Sequence, residues 1–306
     1  MIRVDLTRAR LIGLLCSAAA LCGGCARRAI RVGSKNFTEN ILVAEVYASA
    51  LEAACYSVER HMVLGDEGTA TRALVNGTID IYPEYIGTGF MEVLDFGRPA
   101  TDDDMLGRLR LGYEKRFGAT WLKPSRGVDS QGLAVQQSSF LQTLSQCGRL
   151  APTLRLAAPD EFYSSSRRDG LEGLQTFYGG FHFRVVNARG TLRIGQQYDA
   201  LRNGDADVIA ISTTDPQIAG NKLRVLRDDR RFWPSYQVAP VVRLDTLAED
   251  PSMRYTLDYL AKPLTSLVLL QMNRQVYEQG RDPADVARDL VRSLFASKSC
   301  TGQTFA

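Results

Sequence analysis

The sequence predicts an α/β protein of two lobes, and three observations carry that expectation. From Ile30 onward, short apolar runs alternate with amphipathic segments in the order β-α-β-α-β, which implies a mostly parallel sheet covered by helices. Part of the unit recurs at a constant offset: Ala73-Leu-Val-Asn-Gly-Thr-Ile-Asp80 and Ala200-Leu-Arg-Asn-Gly-Asp-Ala-Asp207 share Ala, Leu, Asn, Gly and Asp. A chain of 306 residues with 45% apolar composition can bury one large core or two smaller ones.

Ahead of the first strand, Arg3, Arg8 and Arg10 precede an apolar run from Leu11 to Leu21 that ends in CGGC at Cys22 to Cys25. This pattern reads as an export signal over residues 1–24. The run is shorter than the roughly 20 residues a spanning helix needs. Gly23 and Gly24 before Cys25 are similar to a bacterial lipobox, in which Cys25 becomes lipidated and residues 25–29 form a tether to the membrane. The lipobox prefers an aliphatic residue where Cys22 stands. Ordinary cleaved secretion, or a redox or metal role for the Cys22/Cys25 pair, are the other readings.

The formal charge is +3, and cleavage before Cys25 would remove three Arg and Asp5 to leave +1. With no basic stripe interleaved with aromatics, that balance argues against a nucleic-acid partner. Cys55, Cys147 and Cys300 then permit at most one internal disulfide. His61 and His182 fall in no HExxH pattern, and neither a P-loop nor a GxSxG motif is present, so the sequence points away from an enzyme and calls for no cofactor or metal.

The first strand, IRVG, ends at Gly33. Asn36 is then expected to cap a helix, with Glu39 three residues on as the second half of a capping box, and Ile41, Ala44, Ala48 and Leu51 forming an apolar face. Tyr56 to Leu64 reads as a strand, Gly65 to Thr69 as a loop, Ala70 to Asn76 as a helix closed by Gly77, and Thr78 to Tyr82 as the next strand. That strand delivers DIYPEYIGTG, Asp80 to Gly89. Ligands of open α/β sheets bind outside the carboxyl ends of strands, so Tyr82, Glu84, Tyr85 and Thr88 are candidate contacts. The competing reading makes Tyr82 and Tyr85 core aromatics. The repeat offset carries Tyr85 onto Ser212, so the two strand ends are expected to face each other across a cleft. In the GDEGT loop Asp66, Glu67 and Thr69 are further candidates, with helix capping as the alternative role for the acids.

Five motifs in order, GSKNFTEN (33–40), DIYPEYIGTG (80–89), RRDGLEGL (167–174), STTDPQI (212–218) and YQVAPVVR (236–243), resemble the osmoprotectant-binding proteins of ABC importers, the glycine betaine, choline and carnitine receptors of the ProX and OpuC type. The resemblance spans about Ile30 to Phe295. It implies a two-lobed type II periplasmic-binding-protein fold with two crossover strands, lobe I holding 30–128 plus 237–306 and lobe II 129–236, closing over ligand like a hinge. It further implies an envelope lipoprotein, a monomer, that presents a small-molecule ligand to an ABC permease in the cytoplasmic membrane.

In that family aromatic faces cage a quaternary ammonium. Tyr85 and Tyr236 match two cage positions, whereas the other two fall on Gln131 and Ser212, and Pro216 stands where the family's Thr-Asp-Gly motif, here within STTDPQI, has Gly. Losing two contacts of roughly 0.5–2 kcal/mol each weakens a trimethylammonium ligand by about 1–4 kcal/mol, so the departures favour a more polar solute. Trp233, Tyr163 and Phe90 are candidates to fill the gaps. Lys35, Thr88 and Arg167 match the positions that hold a ligand carboxylate, with the helix start at Asn36 adding a favourable dipole. A binding protein for an amino-acid-like ligand, or a sensory domain no longer serving a transporter, are the rival functions.

Overall fold

The computed structural model describes residues 28–97, 99, 104–165, 167–186, 192 and 195–295; the expected export signal over 1–24, Cys25 and Cys300 lie outside them. Its strands make two five-stranded sheets of one design. The first has the order β2 (Val58–His61), β1 (Ile30–Gly33), β3 (Ile81–Tyr85), β10 (Val238–Arg243), β4 (Ala119–Trp121). The second has the order β7 (Arg184–Val185), β6 (Arg155–Ala157), β8 (Val208–Ser212), β5 (Gln131–Gln136), β9 (Leu223–Val225). In each, three parallel strands are followed by one that runs against its neighbours, β10 in the first sheet and β5 in the second. The chain passes between the sheets twice, and the two passages pair through an antiparallel bridge between Val128 and Gln237.

Helix α1 (Thr38–Ala53) is buried along most of its length, which fits its run of apolar and small residues on nearly every face. It packs on the carboxyl-terminal helices α10 (Met253–Leu260), α11 (Ser266–Tyr277) and α12 (Pro283–Leu294). Its start differs from expectation. The N-cap is Phe37, which makes no side-chain cap, while the Asn36 N–H donates to the Gly65 carbonyl. Glu39 therefore caps nothing and turns inward. Helix α2 (Glu67–Val75) begins three residues earlier than expected because Asp66 caps it, accepting from the Thr69 N–H at 2.8 Å.

β3 begins and ends three residues later than the apolar run suggests, at Ile81 and Tyr85. The cause is Asp80. Its carboxylate accepts from the Arg31 N–H at 2.8 Å and from the Arg31 guanidinium at 2.8 and 3.0 Å, and Arg28 adds two bonds of 3.0 Å. The second lobe repeats the device: Asp207 accepts from the Arg155 N–H at 2.8 Å and from its guanidinium at 2.8 and 3.0 Å. Asn76 and Asn203 are the C-cap residues of α2 and of α7 (Gln196–Arg202), with Gly77 and Gly204 at positive φ behind them. The sequence repeat is thus a helix stop followed by an Asp that clamps the neighbouring parallel strand through an Arg fork.

The last part of DIYPEYIGTG forms α3 (Ile86–Thr88) and a π-helical turn, Gly89–Val93. Two glycines there are required by rings. A Cβ on Gly87 would lie 2.8 Å from the Tyr236 ring, and one on Gly89 would collide with the Trp121 indole. Among the described residues no helix is long and apolar enough to cross a membrane. Cys147 is free and buried, and Cys55 is disulfide-bonded.

Asp80 is fully buried, whereas the Asp207 side chain is about one-third exposed. Removing the carboxylate therefore has unequal cost: Asp80→Ala is expected to destabilise by roughly 3 kcal/mol, as for a broken buried pair, and Asp207→Ala by about 1 kcal/mol or less. Urea unfolding of the two variants checks the order.

Candidate ligand-binding site

Between the sheets lies a cavity of about 340 Å³ whose walls come from both lobes. The first lobe supplies the loop from Lys35 to Phe37, the first turn of α1 at Glu39, the head of α2 at Asp66 and Glu67, and Tyr85 with Thr88 after β3. The second supplies Gln131 at the start of β5, Ser212 at the end of β8, the following turn through Asp215, and Arg167. Gln131 and Ser212 are register partners on adjacent strands, which is why both reach the cleft. Asp129 and Tyr236 enter from the crossover segments, and Asn273 and Tyr277 from α11.

Of the residues the sequence singled out, Lys35, Asn36, Asp66, Glu67, Tyr85, Thr88, Gln131, Arg167, Ser212 and Tyr236 all line the cavity. Thr69 does not. Its N–H is spent on capping by Asp66 and its hydroxyl accepts from Arg72 at 3.0 Å. Tyr82 is a core residue with no exposed surface, its hydroxyl 3.2 Å from that of Thr71, as the core reading allowed. Glu84 is also behind the wall, because alternation along β3 places Tyr85 toward the cleft and Glu84 beneath it.

Neither cation expected to hold a ligand carboxylate is unpaired. Lys35 Nζ donates to Glu84 Oε1 at 2.5 Å, and it lies 5.0 Å from the centroid of the Tyr85 ring and 5.4 Å from that of Phe37. Arg167 forks onto Asp169 with bonds of 2.8 and 3.1 Å. Asp169 in turn accepts from the Tyr236 hydroxyl at 2.7 Å, which holds that ring in place, and its backbone carbonyl accepts from the Trp233 indole. Trp233 and Phe90 are buried in the cores rather than in the cavity wall. The aromatic surfaces added to Tyr85 and Tyr236 belong instead to Phe37, Phe162 and Tyr277.

The residue that organises the site is Glu39. It accepts from the Tyr85 hydroxyl at 2.9 Å, from Asn273 Nδ2 at 2.7 Å and from the Thr214 hydroxyl at 2.6 Å. Thr214 belongs to the second lobe, so this carboxyl ties the lobes together, and Asn273 Nδ2 also reaches the Thr214 carbonyl at 3.2 Å. A further contact between the lobes pairs Arg168 with Asp95 at 2.5 Å, and the Arg168 N–H donates to Glu92 at 3.0 Å. Asp129 takes the Ser212 hydroxyl and the Thr214 N–H on one oxygen, Oδ1. Burial first, and the negative charge of Asp129 second, push Glu39 up to about 8 against the pull of its three donors. Burial also raises Asp129, opposed by the Ser212 and Thr214 bonds.

Sequence reading missed Phe37, Asp129, Thr214 and Asn273, and took Glu39 for a cap. Phe37, Glu39 and Thr214 sit inside quoted motifs and Asp129 two residues before Gln131, so adjacency was a usable signal; Asn273, deep in α11, carries none.

The family model described as the substrate binding domain of ABC-type glycine betaine transport systems matches residues 28–293. The chain belongs to this family. It is 29% identical over 297 residues to a glycine-betaine-binding protein of Pseudomonas aeruginosa, covering 92% of this chain and 94% of that one. It is 27% identical over 269 residues to an ergothioneine transport permease/ergothioneine binding protein of Helicobacter pylori, covering 86% of this chain and 47% of that one. Among solved structures, a glycine betaine/carnitine/choline ABC transporter protein superposes with a TM-score of 0.73 at 24% identity, over 87% of this chain and 99% of that chain. The two-lobed α/β fold is that of the periplasmic substrate-binding proteins.

A carboxyl raised in the folded state binds a proton that the unfolded chain releases, so its contribution to stability is full below the unfolded pKa near 4.5 and is lost as pH rises toward 8. Wild-type protein is therefore expected to lose a few degrees of thermal midpoint, relative to Glu39→Gln, between pH 5 and pH 8. Parallel melts of the two proteins across that range check it.

Proposed function

We propose that this chain is the extracytoplasmic receptor of an ABC importer, closing its lobes over a small quaternary-ammonium or related zwitterionic or cationic solute and presenting it to a permease. The observation that carries this reading is the cavity itself: it is small-solute sized, walled by both lobes, and combines aromatic rings with charged groups. Family membership and relatives whose names state glycine betaine and ergothioneine binding support it. So does the fusion of permease and binding protein that the second relative's name describes. Lipidation at Cys25, a monomeric state and attachment to the envelope belong to the same reading, and the lipobox-like CGGC supports the anchor. Selection of the closed form by contacts made only when both lobes engage ligand provides the work of capture, with no bond-making step.

The cleft also favours a more polar ligand than glycine betaine, because Gln131 and Ser212 present hydrogen-bonding groups where the family's cage has rings. Thermal-shift and calorimetric titration with glycine betaine, choline, carnitine, ergothioneine and polar amino-acid derivatives tests the proposal. At least one of them is expected to raise the unfolding midpoint, and Tyr85→Ala to weaken that ligand about tenfold, the loss of a desolvated ring contact. A panel without effect would falsify the reading.

A further inference from the structure

Two cations and six carboxylates, Glu39, Asp66, Glu67, Asp129, Glu161 and Asp215, line the cavity among the described residues. Both cations are already neutralised from behind, Lys35 by Glu84 and Arg167 by Asp169. A ligand carboxylate would thus meet the negative charge of acids that no free lining cation offsets, Glu39 alone being largely protonated at pH 7 because burial raises it to about 8. A cation would relieve that charge, and two acceptors specify what kind.

Asp129 commits Oδ1 to Ser212 and Thr214, while Oδ2 receives no hydrogen bond among the described residues. Asn273, only 6% exposed, lines the same cavity and has an Oδ1 with no partner. Its amide cannot be turned to satisfy that oxygen, since Glu39 Oε2 and the Thr214 carbonyl are both acceptors and require the NH₂ where it stands. A buried acceptor left without a donor costs about 1–3 kcal/mol, which a ligand N–H would recover and a methyl group would not. The Tyr85 ring already holds the Lys35 ammonium, 5.0 Å from its centroid.

We propose that the cleft selects a net-positive solute bearing N–H donors, a protonated amine, with Asp129 Oδ2 and Asn273 Oδ1 as its acceptors and Glu39 as the countercharge behind them. This rests on the receptor reading and narrows its ligand. Three small probes separate the terms: choline, N,N-dimethylethanolamine, which replaces one of its N-methyl groups by N–H, and glycine betaine, which keeps the methyl groups and carries a carboxylate in place of the hydroxymethyl group.

Calorimetric titration of the full chain at pH 7 is expected to rank dimethylethanolamine at least tenfold tighter than choline, and choline tighter than glycine betaine. Asp129→Asn is expected to reduce the first ratio below threefold. Should that variant fail to fold, Asn273→Ser, which keeps a hydroxyl near Thr214, is expected to halve the ratio or more, and the wild-type ranking stands as a test without any variant. Glycine betaine binding as tightly as dimethylethanolamine would overturn this inference and leave the receptor reading intact. Failure of all three probes, with no member of the wider solute panel binding, would overturn both.

Discussion

A single carboxyl group, that of Glu39, sets the terms for the rest of the site. An acid buried in a protein interior is tolerated only when its oxygens are met by donors, and Glu39 is met from three directions: β3 through Tyr85, α11 through Asn273, and the opposite lobe through Thr214. The first two bonds hold the head of α1 against the sheet and the carboxyl-terminal helices. The third exists only when the lobes are together. Closure and the charge state of the cleft are consequently linked, since the same group that joins the lobes is raised by the negative charge of Asp129, which shares Thr214 with it.

The aromatic motif acts within that frame. Tyr85 presents a ring to the cavity and its hydroxyl to Glu39, so it is wall and orienter together. Tyr236 is fixed by Asp169, and the close approach of its ring to Gly87 explains why the turn after Tyr85 has no side chain there. Lys35 and Arg167, whose family positions imply capture of a ligand carboxylate, are each held by a carboxylate of the protein itself. A cleft made this way carries an excess of negative charge and distinguishes ligands by their net charge and donors as well as by methyl groups.

Much of this was legible in the sequence because it is local. The alternation of strand and helix, the paired Asn-Gly helix stops and the strand-end position of DIYPEYIGTG depend on short-range spacing, and the offset between Asp80 and Asp207 marks a real equivalence: the same Arg-clamped strand in each lobe. The misreadings arose where long-range contacts outweigh local propensity. Asn36 and Glu39 have capping-box spacing, yet Glu39 gains three donors by turning into the cleft and the cap is forgone. Asp66 kept its local role, and Thr69 with it. The later start of β3 and the antiparallel fourth strand of each sheet, supplied by chain arriving from the other lobe, are likewise consequences of tertiary pairing. Asn273 could not have been found, since nothing in the spacing of α11 reports which residue meets a carboxylate more than two hundred positions earlier.

The most direct measurement of the account is the proton balance of ligand binding. Glu39, raised to about 8 by burial and by Asp129, holds a proton at pH 7 in the empty cleft, and a cation placed beside it favours the ionised form. Titrating a bound alkylammonium solute at pH 7 in buffers of different ionisation enthalpy counts the protons exchanged. The account predicts a net release of up to about one proton per ligand, abolished by Glu39→Gln. A binding enthalpy independent of buffer, or a net uptake, would contradict it.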